Sequence, residues 1–180
     1  LPTNKVVGMA GILDSSRFRY FLSQELKVPV KNIKSLVLGG HGDTMVPMPN
    51  HTTVNEKSLS QLIKNEKLDL IIDRTRKGGA EIIKFLEKGS AFYAPAAAGI
   101  EMAESYINDL KKTLPCASYL NGEYGVKNLY AGVPVIIGKR GVEKIVELKL
   151  SNNERKDFDR SIKSVQELFE MAKKIDRDLI

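Results

Sequence analysis

Tyr130-Ala131-Gly132-Val133-Pro134-Val135-Ile136-Ile137-Gly138-Lys139-Arg140-Gly141-Val142-Glu143-Lys144-Ile145 has the pattern of a β-hairpin, and the fold class follows from it. Two apolar, β-branched runs, Tyr130 to Gly138 and Val142 to Leu150, flank Lys139-Arg140-Gly141, which turns them into a hairpin. Leu114 to Asn121 just upstream is a third strand of the same character, and Ile33 to Leu38 is another. Val46-Pro47-Met48-Pro49 and Thr52-Thr53-Val54 form an extended, proline-interrupted segment of the kind confined to sheet edges.

Helical periodicity surrounds these strands. Val6 to Leu13 begins as a short apolar strand, and Asp14 then reads as an N-cap, with Phe18, Phe21, Leu22 and Leu26 following at helical spacing before Pro29. A long helix is predicted over roughly Leu68 to Lys88, its stripe made of Leu68, Ile71, Ile72, Thr75, Gly79, Ile82, Ile83 and Leu86. Gly78-Gly79 inside it costs about 1 kcal/mol per glycine, which predicts a close backbone approach or a bend there. An alanine-rich helix covers Pro95 to Leu110, and a C-terminal helix from about Asn153 buries Phe158, Ile162, Val165, Leu168, Phe169, Ala172 and Ile175. Antiparallel strands at the centre and helices at the flanks make an α+β domain, and a doubly wound parallel sheet fits less well.

At 180 residues the chain is the size of one domain, expected to span 1–180, and 42% hydrophobic content suffices for a core. No run approaches the roughly 20 apolar residues that cross a bilayer, and the start has no signal-peptide pattern. Leu1 stands where an initiator methionine would, which predicts a piece of something longer. Cys116 is the single cysteine, so no internal disulfide forms; a reducing, cytoplasmic setting and a buried structural thiol are expected. The net charge of +6 comes from lysines interleaved with acids, a pattern of solvated helix faces and not of a nucleic-acid footprint.

Two short runs carry chemistry. Asp14-Ser15-Ser16-Arg17 places a carboxylate and a guanidinium on one helix face. Gly39-Gly40-His41-Gly42-Asp43 holds an imidazole in a turn whose glycines leave room for close approach. Carboxylate, imidazole and arginine are what proton transfer at the hydroxyl of a small carboxylic acid requires. Plainer readings stand beside this one: His41 as a turn histidine, Asp14 as a helix cap, Arg17 as a surface charge. His51 has no partner pattern and reads as structural, and Asp43 as shaping the turn. The chain has no Gly-x-Gly-x-x-Gly between strand and helix, no phosphate-binding Gly-Lys-Ser/Thr loop and no metal-spaced Cys/His cluster.

Val7-Gly8-Met9-Ala10-Gly11-Ile12-Leu13-Asp14-Ser15-Ser16-Arg17-Phe18-Arg19 resembles the segment that opens the substrate domain of the lactate/malate dehydrogenase family. Leu38-Gly39-Gly40-His41-Gly42-Asp43-Thr44-Met45-Val46-Pro47 resembles that family's catalytic-histidine turn, and the two occur at family spacing. Gly89-Ser90-Ala91-Phe92-Tyr93-Ala94-Pro95-Ala96, Leu114-Pro115-Cys116-Ala117, and Tyr124-Gly125-Val126 leading into Gly132-Val133-Pro134 are similar as well. Within the family, Met9-Ala10 and Ser90 to Tyr93 resemble the bacterial malate dehydrogenases of lactate-dehydrogenase-like type.

The resemblance implies that His41 is the proton acceptor, Asp14 its orienting partner, Arg17 the group that binds the substrate carboxylate, and Ala91 a small wall of the pocket. It implies a malate/oxaloacetate substrate in the tricarboxylic acid cycle and a homo-oligomer. It also implies an NAD cofactor bound mainly by a Rossmann half that is missing here, so that this piece alone is inactive. The alternatives are a lactate or other 2-hydroxy-acid dehydrogenase, and a non-catalytic domain that binds an anion or a partner. Neither nucleic acid nor membrane is an expected partner.

Overall fold

The computed structural model describes residues 1–176. Helix α1 (Ala10–Leu26) is followed by five two-residue strands: β1 (Ile33–Lys34), β2 (Val37–Leu38), β3 (Val46–Pro47), β4 (Thr53–Val54) and β5 (Lys57–Ser58). Helices α2 (Asn65–Leu86) and α3 (Tyr93–Ile107) come next. The main sheet, β6 (Lys112–Asn121), β7 (Lys127–Gly138) and β8 (Gly141–Ile145), precedes the C-terminal helix α4 (Asn152–Ile175). Its order is β6-β7-β8, and both pairings are antiparallel, as are β2-β3 and β1-β4-β5. The domain is therefore α+β, as the hairpin around Gly141 predicts.

Two apolar clusters hold it together. The larger packs β6 and β7 (Leu114, Cys116, Val133, Val135) against Ile12 of α1, Ala98 of α3, and Phe158 and Ile162 of α4. The smaller joins Phe18, Phe21 and Leu22 of α1 to Leu68 and Ile71 of α2 and to Val37 and Val54. Burying each such large side chain stabilises the fold by about 1.5–3 kcal/mol. Helix α1 serves both clusters with opposite faces, so its position is determined from two sides. Cys116 is fully buried in the first cluster, and burial pushes its thiol up to about 12, which makes it the inert structural thiol expected.

Several boundaries differ from the sequence expectation. Helix α1 begins at Ala10, so Asp14 lies inside it; Met9 occupies the N-cap position and makes no side-chain cap bond. The segment before it contributes one antiparallel bridge, Gly8 to Ala117, and no strand reaching Leu13. Close packing is the reason. A Cβ on Gly11 would stand 2.5 Å from the Pro115 carbonyl oxygen, so only glycine lets this first turn lie flat on β6.

The run Ile33 to Leu38 divides between two sheets, and β8 stops at Ile145, short of Leu150. Helix α4 starts one residue earlier than expected, at a capping box in which Ser151 and Glu154 exchange hydrogen bonds.

Candidate active site

Asp14 is the hub. It is 2% exposed, held on α1 with its carboxylate turned under the loop that follows β2. One oxygen lies 2.9 Å from Nδ1 of His41, and the other accepts from Nη1 of Arg17 at 3.4 Å. Because a carboxylate only accepts, His41 Nδ1 carries the hydrogen in this pair, and in the neutral ring the free lone pair is on Nε2. The Asp14 hydrogen bond raises the imidazole pKa above its ordinary 6.5; burial pulls the other way, Asp14's charge adds to the rise and Arg17's opposes it. Half of the His41 side chain, 49%, remains open to solvent.

The scaffold under His41 is made of backbone and hydroxyl bonds. Ser15, the residue after Asp14, accepts the Val37 N–H at 2.9 Å and so docks α1 onto β2. Gly39 and Gly132 exchange N–H···O bonds of 2.8 and 2.9 Å, joining the turn to β7. A Cβ on Gly132 would sit 2.4 Å from the Gly39 carbonyl oxygen, so this mid-strand glycine is required by the contact. Gly40 N–H donates to the Ser161 hydroxyl of α4 at 2.8 Å.

The glycine pair of α2 faces Arg17. A Cβ on Gly78 would lie 3.1 Å from Arg17 Cδ, and one on Gly79 would lie 3.6 Å from Nη1. The close approach predicted for Gly78-Gly79 is thus to a side chain, and α2 continues through it to Leu86. Arg17 Nε is buried and meets no acceptor among the described residues. One of the guanidinium's donors is spent on Asp14, which leaves a fork suited to the two oxygens of a carboxylate.

Arg17, His41 and Gly79 line one cavity of about 460 Å³. Arg17, His41 and Ser90 supply its polar side; Met9, Leu13 and Ile83 wall it; Ala91 lies on it from the loop between α2 and α3. The structure therefore brings together all four residues singled out in the sequence: Asp14 and His41 in direct contact, Arg17 on Asp14, and Ala91 across the cavity. His51 is elsewhere, with Nε2 3.2 Å from the Lys149 carbonyl oxygen. Sequence reasoning missed Met9, Leu13 and Ile83 as walls, and Gly132 and Ser161 as supports. Gly132 inside a strand was a readable sign of close approach; Ser161, 121 residues from Gly40, had none. Among the described residues no group of three or more His, Cys, Asp or Glu could hold a metal ion. No described helix is long and apolar enough to cross a membrane.

Residues 12–176 match the family described as lactate/malate dehydrogenase, alpha/beta C-terminal domain. The chain belongs to that family. This lactate/malate dehydrogenase domain is 64% identical over 184 residues to the malate dehydrogenase of Pelagibacter ubique, covering 99% of this chain and 58% of that protein. Its fold superposes on malate dehydrogenase from Salinibacter ruber with a TM-score of 0.95 at 44% identity, covering 99% of this chain and 58% of that one. Lactate dehydrogenase from Cryptosporidium parvum, solved with lactic acid and nicotinamide adenine dinucleotide, gives 0.90 at 46% identity over 92% of this chain and 54% of that one. The domain thus spans about 58% of the length of the curated relatives it matches.

Proposed function

We propose that this domain, residues 1–180 as one unit, is the substrate half of an NAD-dependent malate dehydrogenase that interconverts (S)-malate and oxaloacetate. The observation that carries the reading is the buried Asp14 carboxylate holding His41 on one oxygen and Arg17 on the other. Such a hub sets an acid–base group and an anion-binding fork at a fixed separation, as catalysis at the carbon next to a carboxylate requires.

Arg17 grips the malate carboxylate beside the reacting carbon. His41 Nε2 takes the hydroxyl proton while Asp14 accepts from Nδ1 and stabilises the imidazolium that forms. In the other direction the imidazolium returns its proton to the carbonyl oxygen. Ala91, small and apolar, lines the cavity without competing for the anion. NAD would be held mainly by a half of the protein outside this chain and would supply the acceptor for the hydride. Since oxidation needs neutral His41, its rate rises with pH through the raised His41 pKa, and oxaloacetate reduction falls over the same range.

The choice of malate over lactate rests on the 64% identity to the Pelagibacter ubique protein, because the solved malate and lactate dehydrogenases differ little in identity to this chain, at 44% and 46%. The tricarboxylic acid cycle, a cytoplasmic setting, a homo-oligomer and inactivity of the isolated chain belong to the same proposal. The test is His41→Asn in the full-length protein. Acid–base groups supply about 10²–10⁴-fold, and a loss of at least that size in malate oxidation is expected, with NAD binding retained. Turnover within a few-fold of wild type in a folded variant would defeat the assignment, and equal kcat/KM for lactate would defeat the substrate.

A further inference from the structure

His41 sits between Gly40 and Gly42, and glycine on both sides leaves the flanking backbone of the turn with little steric restriction. Gly42 has a φ of +107° and open space around it. Yet a proton-transfer imidazole must be aimed, and the Asp14 bond defines only the side-chain end. The main-chain end is held by Ser161 from the far side of the domain. Its side chain is completely buried, and its Oγ accepts the Gly40 N–H at 2.8 Å. That oxygen also lies 3.5 Å from Thr44 Oγ1, on the exit side of the same turn. The fit is tight: with Gly39 at a φ of +83°, a Cβ there would stand 2.4 Å from Ser161 Oγ.

We propose that Ser161 is a positioning residue for His41: by holding the Gly40 N–H it sets the turn so that Nδ1 meets Asp14 while Nε2 faces the cavity. The inference rests on His41 being the proton-transfer group. Ser161 touches no reacting atom; it acts through the turn. When its hydroxyl is removed, a part-buried N–H is left without a partner, and the turn opens to find water. The imidazole then drifts from Asp14 and loses the hydrogen bond that raises its pKa. The charged groups that act on it are Asp14 and Arg17 from α1, and Asp43 follows two residues on in its own turn. From α2, Arg76 donates to the Met45 carbonyl, and its other end lies 3.8 Å from Asp157 of α4.

The experiment is Ser161→Ala in the full-length protein, followed by malate oxidation across pH and by an NMR titration of His41. We expect kcat to fall about tenfold, as small misplacements of catalytic groups do, with KM for malate little changed. The acidic limb of the kcat profile and the His41 titration should both move down toward 6.5, the ordinary histidine value. Ser105→Ala is the matched control. Ser105 is an equally buried hydroxyl, bonded to the Ile137 carbonyl away from the turn, so its loss should lower Tm and leave both pH readouts in place.

Should Ser161→Ala fail to fold, Ser161→Cys keeps a weaker sulfur acceptor and should shift both readouts in the same direction by less. A folded Ser161 variant with kcat within twofold of wild type and an unmoved acidic limb overturns the proposal, whatever its Tm. If His41→Asn is inactive in the same series, only the role of Ser161 falls. If His41→Asn is active, the reading beneath it falls too.

Discussion

Arg17, Asp14 and His41 act as one unit because a single buried carboxylate satisfies two cations, one permanent and one that titrates. Arg17→Lys keeps the charge but loses the planar fork, so kcat/KM for malate should fall steeply while circular dichroism stays unchanged. An intact kcat/KM would show that charge alone suffices. The pair with Asp14 also couples His41 to folding. Its folded pKa is raised above 6.5, so the stabilisation is fully present below about pH 6.5 and lost as pH rises through the folded value. Melting temperature followed from pH 6 to 9 should therefore decline, and Asp14→Asn should remove that component of the slope. A slope identical in the variant would mean the pair contributes nothing.

At the scale of elements, α2 shows how a helix gives up intrinsic stability for a contact. An alanine at Gly79 would meet Arg17 Nη1 at an ordinary 3.6 Å, whereas one at Gly78 would crowd Arg17 Cδ at 3.1 Å. Gly→Ala in a helix interior gains about 1 kcal/mol, so Gly79→Ala should raise Tm by about 2–4 °C in a chain of this length. Gly78→Ala should forfeit most of that gain and raise KM for malate, because the Arg17 stem must move. Equal Tm gains with equal KM values would show that the recess has no role.

The same helix tells how far sequence reading reaches. Its predicted stripe is buried at Leu68, Ile71 and Thr75, but Ile83 walls the cavity and Leu86 is exposed. In α4, likewise, Phe158 and Ile162 are buried while Leu168 and Ile175 are not. Periodicity reports which face of a helix is apolar; it does not report what covers that face.

Across the whole molecule, apolar side chains are left uncovered at several places, among them the C-terminal end of α2 and the start of α3: Phe85 at 78% exposure, Phe92 at 60% and Tyr93 at 83%. Beside them Ala94, Ala96 and Ala97 of α3 are exposed while Ala98 is buried, and Tyr20 of α1 is half exposed. Surfaces of this kind are covered in the working protein or drive association. The purified 180-residue chain should self-associate in light scattering, and Phe85→Ser with Tyr93→Ser should reduce it. A strict monomer at high concentration would count against this.

Local rules are enough for the hairpin around Gly141 and the α+β class, and they single out Asp14, Arg17 and His41 as candidates beside plainer readings. A turn glycine, an i,i+3 spacing and a glycine-flanked histidine can each be read within a few residues. Tertiary structure alone decided that Asp14 is a buried hub inside α1 and not its cap, since only packing on β6 through Gly11 starts the helix at Ala10. It alone brought Ser161 and Gly132 beneath the His41 turn and Gly78 against Arg17. Those contacts join residues tens to more than a hundred positions apart. They exist because burying the apolar faces of α1, α4 and the β6-β7 pair leaves the chain no other way to fill the space between them.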